Sequence, residues 1–156
     1  MIRIRPYRPG DRFAVLSLER RAVREINAWR GPGPWDDELV DIDRSFKGKG
    51  GIFLVATDET GLVVGTAALR RLSRTKAEIT RMRVRPGRQG EGIGGQLLDA
   101  LEACASILGI PDIVLHTSDR QIAAQNLYSS RGYEIAGHGR IGRFQVVAMA
   151  KSIAGF

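Results

Sequence analysis

Apolar runs typical of strands alternate with stretches in which apolar residues recur at helical spacing. The strand-like runs are "IFLVAT", "LVVGTAAL", "AEITRMRV", "DIVLHT", "YEIAG" and "RFQVVAMA". Between the third and fourth runs the apolar positions have the spacing of one helix face, and "DRQIAAQNLYSSRG" predicts another helix after the fourth run. The face of the first of these helices consists of Ile93, Leu97, Leu101, Cys104 and Leu108.

The N-terminal part of the chain predicts two further helices. Asp11 is a candidate cap for a helix that runs to about Ala28, and "DDELVDIDRSF" predicts a short second helix after the Gly/Pro loop "WRGPGPW". The resulting order is β-α-α-β-β-β-α-β-α-β-β, an α/β chain with a mixed sheet. The strand–helix–strand unit from Ala77 to Thr117 is expected to be a right-handed parallel crossover.

Length and composition narrow the class of protein. A chain of 156 residues is expected to form one domain, residues 1–156. The apolar run from Phe13 to Leu18 is too short for a signal sequence, and no stretch approaches the ~18 apolar residues of a membrane span. A single cysteine, Cys104, cannot form an internal disulfide. We therefore expect a cytoplasmic protein without a membrane partner.

The net charge of +7 is distributed unevenly. Residues 70–88 are rich in arginine and contain one acid, Glu78, whereas residues 31–43 contain five acids and no basic residue. A basic block is typical of binding to nucleic acid, a membrane surface or a phosphorylated cofactor, and it also occurs on solvated surfaces. Because no aromatic residues are interleaved with the block, we expect no nucleic-acid partner. The acids are Asp36, Asp37, Glu38, Asp41 and Asp43.

Five glycines lie between "AEITRMRV" and the helix that follows it. The N-terminus of a helix presents unpaired N–H groups that bind anions, and glycines let a phosphate approach them closely. Arg85 and Arg88 add positive charge. Residues 88–95 therefore predict a phosphate or pyrophosphate site, although a loop that only turns the chain has the same composition. The dinucleotide pattern G-x-G-x-x-G is also present, but its position after several strands argues against that class.

Two motifs resemble those of the GNAT superfamily of N-acetyltransferases. "RMRVRPGRQGEGIGGQLLDALE" is similar to the acyl-CoA motif V-x-P-x-x-[QR]-G-x-G-[IV]-G followed by a helix, and Ala124, Leu127, Tyr128, Gly132 and Tyr133 match A-x-x-L-Y-x-x-x-G-[FY]. The resemblance extends over essentially the whole chain. It implies a mixed, mostly antiparallel sheet of about seven strands, with about four helices and a parallel, splayed pair formed by the fourth and fifth strands.

The resemblance also implies that acetyl-CoA lies between the two splayed strands, and we expect no metal cofactor. The pyrophosphate would bind amides from Gln89 to Gly95, and the pantetheine would pair with the strand from Met82 to Val84. Two positions depart from the family pattern, because Gln121 replaces a frequent Asn and Glu91 a commonly basic residue. The implied cofactor-binding residues are Met82, Arg83, Val84, Arg88, Gln89, Gly90, Gly92, Ile93, Gly94, Gly95 and Gln121.

The implied activity is transfer of an acetyl group to a primary amine by direct attack in a ternary complex. Glu78 matches the position of the general base in some family members and is expected to act through water. Strict alternation places it on a mostly apolar face with Met82 and Val84, where burial raises a carboxylate pKa. The alternative for Glu78 is a salt bridge to an arginine. Tyr128 matches the family's general acid, and the alternative for it is a packing role.

The acceptor is expected to be a small amine or a protein amine. Trp29 and Trp35 are candidate walls of its pocket, and the acids of residues 31–43 would attract a cation; alternatively, both tryptophans pack between helices and the acids face solvent. Cys104 is expected in the core, and His116 and His138 form neither a triad nor a metal site. A homodimer through edge strands near the C-terminus is compatible with the pattern. A non-catalytic acyl-CoA sensor remains the alternative function.

Overall fold

A computed structural model describes residues 1–25 and 34–153, with side-chain surroundings for residues 1–24 and 37–153. Within these ranges seven strands form one sheet, and four α-helices pack around it. The strands are β1 (Arg3–Pro6), β2 (Ile52–Thr57), β3 (Val63–Arg71), β4 (Lys76–Val84), β5 (Asp112–Ser118), β6 (Glu134–Ile141) and β7 (Phe144–Ser152). The helices are α1 (Arg12–Glu25), α2 (Ile42–Ser45), α3 (Ile93–Ile107) and α4 (Ile122–Ser130).

The sheet has the order β1-β2-β3-β4-β5-β7-β6. Every neighbouring pair is antiparallel except β4 and β5, which are parallel and are connected through α3. The predicted element order and the mixed sheet are therefore confirmed. The predicted end of the first helix at Ala28 lies outside the described residues.

Asp11 stabilises the start of α1 differently from the prediction. It ends a short 3₁₀ turn, Pro9–Asp11, and its carboxylate accepts a hydrogen bond of 2.8 Å from the backbone N–H of Arg8. The same carboxylate binds the Arg5 guanidinium at 2.7 and 2.8 Å. Asp11 thus links the helical entry to β1 rather than capping α1 from the N-cap position.

Apolar side chains form two cores, one on each face of the sheet. The α3 core contains the buried face of α3, including Leu97, Leu98 and Leu101, together with inward-facing strand residues. The α1 core contains Val15 and Leu18 of α1 with residues of α2 and the opposite strand face. Cys104 packs against the α3 core, where burial raises the pKa of its thiol, while Leu108 lies just beyond α3 and is partly exposed.

A β-bulge in β4 reverses which residues face each core. Thr66 pairs with Arg83 and Ala68 with Thr80, so two residues of β4 lie opposite one residue of β3. Arg81, inside the bulge, has a φ of 55°, and its carbonyl accepts a hydrogen bond of 2.8 Å from Thr66 Oγ1.

The reversal has a direct consequence for Glu78. Before the bulge, Ala77 and Ile79 belong to the α3 core; after it, Met82 and Val84 pack against that same core. Glu78 therefore points to the opposite face from Met82 and Val84. The expectation that these three residues share an apolar face was wrong, because strict alternation does not hold across a bulge.

The parallel pair β4–β5 opens at one end. Its pairing runs from Lys76 with Asp112 to Ile79 with Leu115 and stops there, although β4 continues to Val84 and β5 to Ser118. Beyond Ile79 the two strands separate, which confirms the predicted splay. The opening lies next to the start of α3.

Candidate active site

A groove of about 530 Å³ occupies the space where β4 and β5 separate. Its walls are the end of β4, the glycine loop of residues 87–95 with the start of α3, and the segment from the end of β5 into α4. Every residue that the sequence predicts as cofactor-binding lines this groove. Two further lining residues, Ala124 and Leu127, belong to the second sequence motif; the lining residues that the sequence did not single out are Ala22, Arg120, Ile122 and Ala123.

The glycine loop has a backbone that only glycine adopts easily. Gly87, Gly90 and Gly92 have φ values of 90°, 84° and 81°, and nothing lies within 4 Å of the position that a Cβ would take at each. Gly92 is the N-cap of α3, and no side chain caps the helix there. The first amides of a 15-residue helix therefore face an open space of the kind that a phosphate group fits.

Charged side chains beside the glycine loop are bound to one another. Arg88 donates to Glu91 at 2.9 and 3.1 Å and to Asp58 at 3.1 Å, and these hydrogen bonds raise the pKa of Arg88. Glu91, the departure from the basic family pattern, thus holds Arg88 in place. These contacts use three of the five guanidinium N–H groups of Arg88.

The two glutamines of the groove support the backbone around it. The Gln89 amide accepts from the Gly87 N–H at 3.1 Å and donates to the Val84 carbonyl at 3.3 Å. The Gln121 carbonyl oxygen accepts from Thr117 Oγ1 and from the Ser118 N–H, both at 3.1 Å. Both side chains therefore fix the shape of the groove walls.

A chain of ion pairs runs along the α1 face of β4, and we call it the β4 ion-pair chain. Glu19 binds Arg81 at 2.8 Å and Arg83 at 2.9 Å. Glu38 binds Arg81 at 2.7 Å and also contacts Arg70. The β4 ion-pair chain thus joins α1 and the 3₁₀ turn Pro34–Leu39 to β4, and its last acid is Glu78.

Glu78 lies at the end of the β4 ion-pair chain. Its carboxylate accepts from Arg70 Nη1 at 3.1 Å, and its other oxygen lies 3.1 Å from His116 Nδ1 on β5. The salt bridge that the sequence left as the alternative for Glu78 is therefore present. Glu19 was not singled out from the sequence, and His116 was considered only for a triad or a metal site, because the partners of both residues are distant along the chain.

Glu19 is the most buried acid of the β4 ion-pair chain, with 7% of its surface exposed. Burial alone would raise the pKa of its carboxyl group. The charges and hydrogen bonds of Arg83 and Arg81 outweigh burial, so that the pKa of Glu19 is lowered. Glu19 is thus an anion inside the protein, and two guanidinium groups stabilise it.

Tyr128 is buried beside the groove. Its ring packs edge-to-face on Tyr133 with centroids 5.8 Å apart, and its neighbour Leu127 lines the groove. None of the hydrogen bonds among the described residues involves its hydroxyl group. Burial raises the pKa of Tyr128 to about 12, an effect that Arg83 partly offsets. The phenol therefore keeps its proton throughout the neutral range, as a proton donor requires.

The shifted pKa of Tyr128 predicts a specific loss of stability in alkali. Because the folded pKa lies above its ordinary value of 10.0, the stability associated with neutral Tyr128 is complete below pH 10 and decreases as the pH rises toward 12. We expect wild type to lose about 1 kcal/mol more than Tyr128→Phe between pH 9 and pH 11, measured by denaturant unfolding. Equal losses in the two proteins would contradict the raised pKa.

The proposed acceptor side is described only in part. Trp29 lies outside the described residues, as does the side chain of Trp35. Of the acids in this region, Glu38 belongs to the β4 ion-pair chain, and Asp41 caps α2 by accepting from the Arg44 N–H at 3.1 Å. These two carboxylates are bound within the protein.

In the described part of the chain, no helix combines the length and apolar composition that a membrane span requires.

The fold and the groove define an acyl-CoA-binding class of α/β protein, and comparison with known proteins identifies the family. Residues 49–135 match the Acetyltransferase (GNAT) domain, and the chain belongs to this GNAT family. It is 34% identical over 100 residues to an uncharacterised N-acetyltransferase of Schizosaccharomyces pombe, covering 64% of this chain and 61% of that protein. The chain therefore spans less than two thirds of the length of that relative.

Solved structures share the whole fold. A GNAT-family acetyltransferase from Staphylococcus aureus Mu50 superimposes with a TM-score of 0.88 at 23% identity, covering 98% of this chain and 99% of the other. The PaiA N-acetyltransferase of Thermoplasma acidophilum, solved in complex with coenzyme A, gives a TM-score of 0.79 at 20% identity, covering 97% and 99%. The predicted GNAT fold is confirmed.

Proposed function

We propose that this protein is a single-domain N-acetyltransferase, residues 1–156, that transfers the acetyl group of acetyl-CoA to a primary amine. The observation that carries the proposal is the groove between the separated strands, where the uncapped start of α3 and the open glycine loop meet the end of β4. Family membership supports the same activity. The acceptor is proposed to be a small amine or an amine of a protein.

Binding of acetyl-CoA is assigned to the backbone of the groove. The amides from Gln89 to Gly95 would hold the pyrophosphate, since the positive φ values there expose main-chain N–H groups without a Cβ in the way. The edge of β4 from Met82 to Val84 is no longer paired with β5 and would pair with the pantetheine arm. Acetyl-CoA supplies an activated thioester to the reaction.

Transfer is proposed to occur by direct attack in a ternary complex. The N–H of Met82 or of its neighbour in the bulge would stabilise negative charge on the reacting carbonyl oxygen. Tyr128 would donate its phenolic proton to the departing sulfur, and Glu78 would remove the proton of the amine through a water molecule. Supporting these roles, Tyr128 is buried beside the groove, and Glu78 lies near the point where β4 and β5 separate.

Two measurements on the wild-type chain test the proposal. Calorimetry should detect binding of acetyl-CoA, and a panel of small amines and peptides should include at least one that releases free thiol from acetyl-CoA. Tyr128→Phe should slow that release while acetyl-CoA still binds. Binding without thiol release for any amine would favour the acyl-CoA sensor, and absence of both binding and release would refute the proposal as a whole.

A further inference from the structure

His116 lies at the point where the two parallel strands separate. The last residue pair of β4 and β5 is Ile79 with Leu115, and His116 is the next residue of β5. Ile113 and Leu115 belong to the α3 core, so alternation directs His116 to the opposite face, where it meets Glu78. His116 Nδ1 and Glu78 Oε2 are 3.1 Å apart. His116 thus lies on the α1 face of the sheet, at the point where β4 and β5 begin to separate.

Glu78 and His116 differ in their contacts and in their exposure to solvent. The Glu78 carboxylate is held on both oxygens, by Arg70 Nη1 at 3.1 Å and by His116, and its side chain is 20% exposed. The imidazole, in contrast, is 48% exposed. A carboxylate bound on both sides is well suited to orient a neighbour, whereas an exposed imidazole is able to meet a substrate.

The hydrogen bond to Glu78 selects one form of the neutral imidazole. Because an ionised carboxylate only accepts hydrogen bonds, His116 Nδ1 must carry the proton, which leaves Nε2 as an acceptor. In the described part of the chain, Glu78 is the charged residue that pairs with His116, and the ion pairs continue from Glu78 to Arg70 and Glu38; from β7 the residue opposite is Ala148, which is uncharged. This is the arrangement of a histidine base oriented by a carboxylate.

We propose that His116 is a catalytic residue whose Nε2 accepts the proton of the attacking amine, and that Glu78 is the positioning residue that fixes its tautomer. The inference rests on the proposed acetyltransferase function and replaces the water expected between Glu78 and the amine. In the step, the amine nitrogen bonds to the acetyl carbon and the carbon–sulfur bond breaks. The proton of the amine goes to Nε2, and the sulfur leaves as a thiolate that takes a proton from Tyr128.

The tautomer of His116 is measurable without any substrate. The chain has two histidines, so His138→Gln leaves His116 as the single imidazole, and nitrogen NMR distinguishes the Nδ1–H from the Nε2–H form. We expect the Nδ1–H form when Glu78 is present and its loss in Glu78→Ala on the same background. Glu134→Ala, at an exposed position of β6, is the matched control and should leave the tautomer unchanged. An Nε2–H form with Glu78 present would overturn the proposal.

Kinetics provide the second test, with the amine that releases thiol fastest from acetyl-CoA. We expect His116→Gln to lower kcat by about 10²–10⁴-fold and to change the dependence of kcat on pH. The KM for acetyl-CoA and the thermal stabilisation by acetyl-CoA should stay unchanged. His138→Gln should retain the wild-type rate. A wild-type rate and pH profile in His116→Gln would overturn the base assignment.

The two proposals fail in different ways. If wild type releases no thiol with any amine, the acetyltransferase function has failed and the catalytic role of His116 with it. If wild type transfers acetyl groups but His116→Gln does so equally fast, only the role of His116 is refuted. The NMR measurement gives its result in both cases, because it reports on the pair itself.

Discussion

Replacing Glu19 with alanine is expected to lower the free energy of unfolding by about 3–5 kcal/mol, because the change leaves two guanidinium groups without their shared carboxylate inside the protein. Glu19 binds Arg81 at 2.8 Å and Arg83 at 2.9 Å, and the Arg81 side chain is only 10% exposed. Glu19→Gln, which keeps the volume and some hydrogen bonding but not the charge, should give a smaller loss. Denaturant unfolding followed by circular dichroism measures both.

Glu59→Ala is the matched control for this prediction. Glu59 forms an ion pair of 3.2 Å with the N-terminal amine, but its side chain is 70% exposed, so its removal should change stability far less than Glu19→Ala does. If Glu19→Ala and Glu59→Ala were equally stable, the buried pair would contribute nothing and the prediction would be wrong.

Lowering the pH should weaken the ion pairs that Glu19 forms with Arg81 and Arg83. The pKa of Glu19 is lowered from its ordinary value of 4.5, so the stability that Glu19 contributes is complete above that pH and is lost as the pH falls below it. Glu19→Gln has no carboxyl group at this position. The difference in unfolding free energy between wild type and Glu19→Gln should therefore shrink in acid.

The position of Glu19 also matters for the geometry of the groove. Arg81 adopts a left-handed φ of 55°, which for a residue other than glycine costs about 1–3 kcal/mol, and the carboxylates of Glu19 and Glu38 hold it there from two separate elements. The bulge that they stabilise directs Met82 and Val84 toward the α3 core. The β4 ion-pair chain thus helps to set the shape of the strand on which acetyl-CoA is proposed to lie.

The sequence revealed the groove because its signals are local. The glycines lie directly before the start of α3, the second motif is confined to residues 124–133, and chain topology brings these two local motifs to one place. All the residues predicted to bind the cofactor line the groove, although their contact with acetyl-CoA stays a prediction.

The α1 face of β4 was not predictable in the same way. The bulge is centred on an arginine in a glycine-like conformation, so no residue type marks it, and periodicity alone placed Glu78 on the wrong face. Its partners are also distant in sequence: Arg83 and Glu19 are 64 residues apart, and Glu78 and His116 are 38 apart. Such pairs become visible only after the strand order is known.

Replacing Gly90 and Gly92 together with alanine is expected to weaken acetyl-CoA binding by about 30- to 1,000-fold. Each alanine at a left-handed φ costs roughly 1–2 kcal/mol, and together this amounts to about 2–4 kcal/mol. A Cβ at either position meets open space, so the cost arises from backbone strain and not from a clash with the fold. The loop can relieve that strain by leaving the left-handed conformation, and this would turn its amides away from the phosphate.

The control for this change carries the same strain elsewhere in the chain. Gly109 and Gly142 have φ values of 73° and 59°, nothing lies within 4 Å of either Cβ position, and neither residue lines the groove. Gly109→Ala combined with Gly142→Ala should therefore lose stability but keep wild-type affinity for acetyl-CoA in calorimetry. Wild-type affinity in the Gly90/Gly92 variant would instead mean that the conformation of this loop is not what binds the pyrophosphate, and equal weakening in both variants would mean that strain anywhere in the chain has this effect.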